Sequence, residues 1–283
     1  MIRQKVESLK TSHTAEEKQE QIKQVCIRML KAFADICAKH DLKWWVDGGT
    51  LLGTVRNGRI IPWDDDVDVT MPRKDYTKLL KIAERDPQIF GTSYFFQTAR
   101  TDKYFEVHAK LRDKSTTALT EREYQGSHNK GMFLDIFPLD NAPELLQVRE
   151  DVAGFVKTVA KHTGQDVKPQ IPSFYWSVLN LILNDVHTRN EQSEYIANMA
   201  FWRYDRKLVI LKKSWYEKTV TMPFEDMIVP VPCMMEQVLS TWYGESWETP
   251  QKVNNCHRGY VDPFISYKEY NCLTKEEFEY LVK

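Results

Sequence analysis

Between Gly48 and Val69 the chain reads GGTLLGTVRNGRIIPWDDDVDV, and its last residues carry the densest charge in the sequence. Asp64, Asp65, Asp66 and Asp68 sit directly against Ile60, Ile61, Trp63, Val67 and Val69. In an extended strand alternate side chains share a face, so Asp66 and Asp68 project together while Val67 and Val69 enter the core. Asp64 joins them if the strand begins early, whereas Asp65 points the other way and is set aside as a ligand. Carboxylates crowded in this manner repel one another unless a cation neutralises them. An all-oxygen set suits Mg²⁺ or Mn²⁺ rather than a soft metal, and such an ion is usually held to bind and activate a phosphate.

The glycines at the head of the same stretch add a second half to that chemistry. Gly48 and Gly49 follow the strand-like run LKWWV and precede a helical run. Without side chains they let backbone N–H groups come close to a phosphate, and the start of a helix adds partial positive charge. Thr50 extends the cradle. The acids alone are open to other readings. A solvated acidic turn conflicts with the apolar neighbours. A calcium loop would want Gly and Glu where Val69 and Asp75 stand, and Pro72 intrudes. An Asp-x-Asp metal site of a nucleotide-sugar glycosyltransferase needs only Asp66-Val67-Asp68. The glycine pair with the carboxylate strand at this spacing favours a site that grips a nucleoside diphosphate from two sides.

Further candidates lie nearby in type if not in sequence. Asp135, between Leu134 and Ile136, is a charged residue in an apolar strand and needs a partner. It reads as a third metal ligand, a general base or half of a structural ion pair, while Asp140 reads as a cap or loop residue after Pro138. Arg56 either pairs with donor phosphate or braces the Asp strand. Lys110 and Arg112 alternate on one strand, giving either a phosphate-binding pair or a solvated face. Arg59 and His257 read as ordinary residues. Trp44, Trp45, Trp63 and Tyr94 read as core. Rings of the later chain (Tyr175, Trp176, Trp202, Tyr204, Trp215 and Tyr216) could cage a quaternary ammonium group by cation–π attraction.

The elements that must position these residues follow from pattern. Thr14 and Glu17 form a capping-box pair ahead of Ile22, Val25, Cys26, Met29, Leu30, Phe33, Ile36 and Cys37 at helical spacing, which predicts a helix to about His40. Strands are expected at Leu42–Val46, Asp66–Thr70, Tyr94–Thr98, Phe105–Leu111 and Gly131–Leu139, the last ending at Pro138. Helices are expected from Leu51 and after Pro72, with a turn at Asn57–Gly58. Residues 145–222 read as mostly helical. The expected class is α+β, with a catalytic core over 14–142 and a helical acceptor or lid region over 143–283.

Composition narrows the partners. The 283 residues carry 39 basic and 40 acidic side chains, a net charge of −1, which argues against a nucleic-acid coat. The cysteines (26, 37, 233, 256 and 272) are odd in number and form no CxxC pair, which fits a reducing compartment. No run reaches the length of a membrane span, the nearest being FYWSVLNLIL at 174–183, a buried helix or a surface that touches a bilayer.

The block from Gly48 to Val69 resembles the signature of the LicD family, to which fukutin-related proteins are distantly similar. KLRDKST (110–116) and GMFLDIFPLD (131–140) are similar to further family blocks, with a weaker echo at Tyr243, Gly244, Trp247 and Pro250. The resemblance implies a nucleotidyltransferase-like mixed sheet and a phosphotransferase. Such enzymes move a phospho-alcohol, phosphocholine foremost, from a CDP-linked donor (CDP-choline, or CDP-ribitol and CDP-glycerol in related branches). The acceptor is a hydroxyl of a surface glycan such as teichoic acid or lipopolysaccharide, or of its lipid-linked precursor. Carried over, Asp64, Asp66 and Asp68 hold Mg²⁺ or Mn²⁺, and Asp66, Asp68 and Asp135 form the catalytic set. Gly48, Gly49, Thr50, Arg56, Lys110 and Arg112 contact substrate. The implied location is cytoplasmic, free or peripheral at the inner face of the membrane. A nucleotidyltransferase, an Asp-x-Asp glycosyltransferase and a catalytically silent scaffold are the alternatives.

Overall fold

The computed structural model describes residues 13–102, 108–121, 124–142, 181, 183–198, 209–251, 259–270 and 273–282. The chain enters through α1 (Ala15–Lys39), opened by the expected capping box: the Thr14 hydroxyl accepts from the Glu17 N–H at 3.1 Å and the Glu17 carboxylate from the Thr14 N–H at 2.9 Å. Removing such a cap typically costs about 1 kcal/mol. The residues at spacings of three and four, from Ile22 to Cys37, are buried as one stripe.

After α1 come β1 (Trp45–Val46), α2 (Gly48–Asn57), β2 (Val67–Pro72), α3 (Arg73–Arg85), β3 (Tyr94–Gln97), β4 (Ala109–Asp113), β5 (Thr117–Thr120) and β6 (Phe133–Ala142). Then follow β7 (Tyr195–Asn198), β8 (Ile210–Lys212), β9 (Thr219–Phe224), β10 (Met227–Pro232), α4 (Met235–Tyr243), β11 (Gly259–Asp262) and α5 (Lys275–Val282). The main sheet runs β1-β2-β6-β4-β3, with β7 on the far part of β6 and β8 on β7. Its β2–β6 pair is parallel and the other pairs are antiparallel. The α+β reading holds.

Alternation along the strands sorts the sheet into two faces. Val67, Val69, Met71, Ala109, Leu111, Leu134 and Ile136 are buried in one core with the α1 stripe and Leu79 of α3. At about 25 cal/mol per Å² removed from water, that face holds the sheet to its helices. The opposite face carries Asp68, Asp135, His108, Lys110 and Arg112, so the period of two that seals the core also gathers the charges.

Several boundaries differ from the sequence reading. The Asp strand begins at Val67, leaving Asp64–Asp66 in a loop, and β4 starts at Ala109. β1 keeps only Trp45 and Val46, the two residues that pair with β2, so the expected strand loses its first three residues. β6 does not stop at Pro138 but runs on to Ala142. Residues 133–136 pair with β4 and 139–142 with β7, so Pro138 falls in the gap between partners, where its missing N–H costs no ladder bond on that side. Asp140 is therefore a strand residue, fully buried, and not a cap or loop residue: its carboxylate takes both Nε and Nη2 of Arg73, at 2.6 and 2.5 Å.

Beyond 143 the described residues hold strands as well as helices, and β7 and β8 extend the main sheet, which a mostly helical reading did not anticipate. Most of FYWSVLNLIL, together with Tyr175, Trp176, Trp202, Tyr204 and His257, lies outside the described residues. Trp44 and Trp45 are buried, and Trp63 and Tyr94 pack against the core, as expected; of the rings read as a possible cage, Tyr216 is buried in that core and Trp215 packs against it. Among the described residues no helix is long and apolar enough to cross a membrane.

Candidate metal and phosphate site

Strand register lays a row of polar residues across the sheet. Asp68 of β2 faces Asp135 of β6, Asp135 faces Lys110 of β4, and Lys110 faces Gln97 of β3. At the other end Asp47 donates its N–H to the Asp68 carbonyl at 3.0 Å, continuing the β1–β2 register by one step. Residues paired in register share a face, so Asp47, Asp68 and Asp135 line up on adjacent strands.

Asp66, Asp68 and Asp135 each offer a carboxylate oxygen, and these atoms all lie within 4.8 Å of one another. Asp64 is outside this trio but close by: a Cβ built on Gly49 would lie 2.6 Å from its Oδ2. A Cβ on Gly48 would lie 2.5 Å from Oδ2 of Asp68, and Gly48 also has φ +52°, a conformation that L side chains rarely adopt. The glycine pair thus makes its close approach to carboxylates. It forms the first turn of α2 instead of preceding it, so the Gly48, Gly49 and Thr50 N–H groups are the ones with no acceptor inside the helix. Thr50 also works through its side chain, whose hydroxyl accepts the Asp68 N–H at 2.9 Å.

The acid loop is held from behind by α1. The Gln19 amide donates to the Asp64 carbonyl at 3.2 Å, and the Cys26 thiol donates to the Asp65 carbonyl at 3.7 Å. These contacts tie the backbone of the acid loop to α1.

Charge at the site is unbalanced. Burial, and then the carboxylates of Asp66, Asp135, Asp47 and Asp64, push Asp68 well above the usual carboxylate range. Burial pushes Asp47 up to about 6, against the opposing pull of the Gly48 N–H. Asp135 goes the other way. Burial alone would raise it, but the close charges of Lys110 and His108 hold it below the ordinary range. Lys110 Nζ lies 2.5 Å and His108 Nε2 3.2 Å from Asp135 Oδ1. An all-oxygen trio under mutual repulsion fits a hard divalent cation such as Mg²⁺ or Mn²⁺.

Not every sequence candidate reaches this place. Lys110 does, through Asp135. Arg112 shares its face but is fully buried, donating from Nε to Gln97 Oε1 at 2.6 Å and from Nη1 to the Gly131 carbonyl at 2.9 Å. Arg56 does not brace the Asp strand: its Nη2 donates to the carbonyls of Trp247 and Thr249, tying α2 to the segment after α4. Two residues of the site escaped the sequence reading. His108 had a legible signal, since His108, Lys110 and Arg112 alternate as a basic face. Asp47 had a weaker one, an acid immediately ahead of the glycine pair.

Residues 41–152 match the LicD/FKTN/FKRP family, nucleotidyltransferase domain. The matched segment contains every acid of the trio and the whole polar row from Asp47 to Gln97, while α1 lies outside it. Over 121 residues, 42% of this chain and 43% of the relative, the sequence is 32% identical to the lipopolysaccharide cholinephosphotransferase LicD of Haemophilus influenzae. Over 88 residues, 29% of this chain, it is 31% identical to the ribitol 5-phosphate transferase FKRP of Mus musculus, covering 18% of that protein. Over 102 residues it is 29% identical to the uncharacterized protein RP689 of Rickettsia prowazekii, covering 38% of it. The LicD-type similarity therefore spans less than half the length of each of these relatives.

Proposed function

We propose that this chain is a metal-dependent phosphotransferase that moves a phospho-alcohol from a CDP-linked donor to a hydroxyl of a glycan, free or lipid-linked. The observation that carries the reading is the convergence of Asp66, Asp68 and Asp135 within 4.8 Å beside the start of α2. Similarity to a cholinephosphotransferase and a ribitol 5-phosphate transferase supports the reaction class, and the longer match favours phosphocholine. With a lipid-linked acceptor the chain would work peripherally, at the cytoplasmic face of a membrane.

Bound Mg²⁺ or Mn²⁺ supplies Lewis-acid stabilisation of the donor's pyrophosphate oxygens. Asp66, Asp68 and Asp135 hold it, with Asp64 beside them. The first-turn N–H groups of Gly48, Gly49 and Thr50, at the positive end of α2, receive the phosphate that leaves as CMP. The acceptor oxygen bonds to the phosphorus that carries the alcohol. The bond from that phosphorus to the bridging oxygen breaks, CMP departs with the electron pair, and the hydroxyl proton passes to a base. Asp135 is a poor choice for that base, because Lys110 and His108 favour its ionised form. Its place suits a ligand. Most of the rate then comes from positioning and charge stabilisation.

The test is calorimetric titration of CDP-choline, CDP-ribitol, CDP-glycerol and UDP-glucose, each with and without Mg²⁺ or Mn²⁺. Metal-dependent binding of one CDP-alcohol is expected. Binding of UDP-glucose alone would move the reading to a glycosyltransferase, and binding of none would end it.

A further inference from the structure

We infer that His108 is a positioning residue for the cation site: it locks Asp135 so that Oδ1 is committed to the protein and Oδ2 is left for the metal. The inference rests on the metal-site reading above. His108 is only 5% exposed, and its ring sits 4.5 Å from that of Phe137, tilted against it. Both of its ring nitrogens are buried without a well-formed hydrogen bond, and so is Asp135 Oδ1. A buried polar atom left unsatisfied costs stability, so the ring is a poor choice for stability alone. What the ring does reach is Asp135 Oδ1, at 3.2 Å from Nε2.

Lys110 converges on the same oxygen at 2.5 Å, with its Nζ also 3.5 Å from the Phe133 ring centroid. The two contacts do different work. An ammonium on a flexible stem supplies charge but little direction. A planar ring wedged on Phe137 supplies direction. Held by both, the Asp135 carboxylate cannot rotate to chelate through two oxygens, and it presents one oxygen toward Asp66 and Asp68. Partners that orient a ligand in this way commonly change metal affinity about 10–100-fold when removed.

The experiment uses the full chain and Mn²⁺ alone as the probe, with His108→Leu and His108→Gln beside the parent. The Leu variant fills the same space without a donor, and the Gln variant restores an N–H at similar reach. Calorimetric titration should show Mn²⁺ binding about ten-fold weaker for Leu, the low end of that range, with most of the loss recovered by Gln. In a second readout the parent is made with isotope-labelled histidine and titrated with Mg²⁺. The His108 ring nitrogens, assigned by their disappearance in the Gln variant, should shift along the binding curve. If Leu fails to fold, this readout decides alone. A parent that binds Mn²⁺ no better than the Leu variant, or bound Mg²⁺ that leaves the His108 nitrogens unmoved, overturns the role of His108. A parent that binds neither ion overturns the site itself.

Discussion

Asp68 and Asp135 stand directly opposite each other across the parallel β2–β6 pair. Like charges at facing positions of a sheet destabilise it, and here Asp66 and Asp47 add to the repulsion on Asp68. The chain without metal therefore carries a cost that a bound cation would remove.

Replacing Asp68 with Asn relieves that repulsion. The expected outcome is a metal-free variant that melts higher than the metal-free parent, with no further gain on adding Mn²⁺. The parent, in contrast, should gain about 2.7 kcal/mol at a metal concentration a hundred times its Kd. Thermal melts of both proteins with and without metal check this, and a metal-free variant that melts lower would contradict it. Donor turnover by Asp68→Asn should be lost.

The two glycines should fail in different ways. Gly48→Ala meets both a backbone conformation unfavourable to L residues, by roughly 1–2 kcal/mol, and the Asp68 carboxylate. It should lose stability in urea as well as metal binding. Gly49→Ala meets only the Asp64 carboxylate. Alanine is the better helix former by about 1 kcal/mol, so its urea stability should be near the parent's while its Mn²⁺ or donor affinity falls.

Arg73 and Asp140 form a buried bidentate pair away from the trio, and His187 packs beside it with its Nδ1 accepting the Asn141 N–H at 3.0 Å. Asp140→Ala leaves Arg73 without its partner and should cost about 3–5 kcal/mol in urea unfolding. If it folds, its Mn²⁺ affinity should match the parent's. A large change in metal affinity at unchanged stability would place Asp140 in the site instead.

Alkaline pH should weaken the fold through tyrosines. Burial raises Tyr76 and Tyr216, and pushes Tyr260 up to about 12, with Tyr270 raised as well. Above the unfolded value of about 10 the unfolded chain releases these protons while the folded chain keeps them. Stability is then fully present below pH ~10 and falls as pH rises toward 12. Urea midpoints across that range, with phenolate absorbance followed in parallel, check the sign.

What the sequence made legible was local. The capping box of α1, the alternation of Val67, Asp68 and Val69, and the glycine-to-aspartate spacing are encoded in neighbouring residues, and they reappear as helix, strand and site. What stayed hidden depended on partners distant in the chain. Pro138 reads as a strand end because its own chemistry says so, and only the change of neighbour from β4 to β7 makes room for it. Asp140 looks like a loop residue until Arg73 is seen beside it. Arg56 has the type and spacing for a phosphate contact, yet two carbonyls of a segment some 190 positions later claim it. Asp135 had three readings, metal ligand, general base and half of an ion pair. The register puts it next to Asp68 and Lys110 at once, which makes the first and the last compatible.

The brace that α1 provides bears on how this unit can be cut. The match to the family begins at residue 41, but Gln19 and Cys26 hold the backbone of the acid loop from outside it. A fragment trimmed to the similarity boundary would keep every carboxylate and discard the support that aims them. Transplanting the chemistry into a smaller protein therefore means carrying the helix that precedes it, because the smallest portable unit starts with the capping box at Thr14.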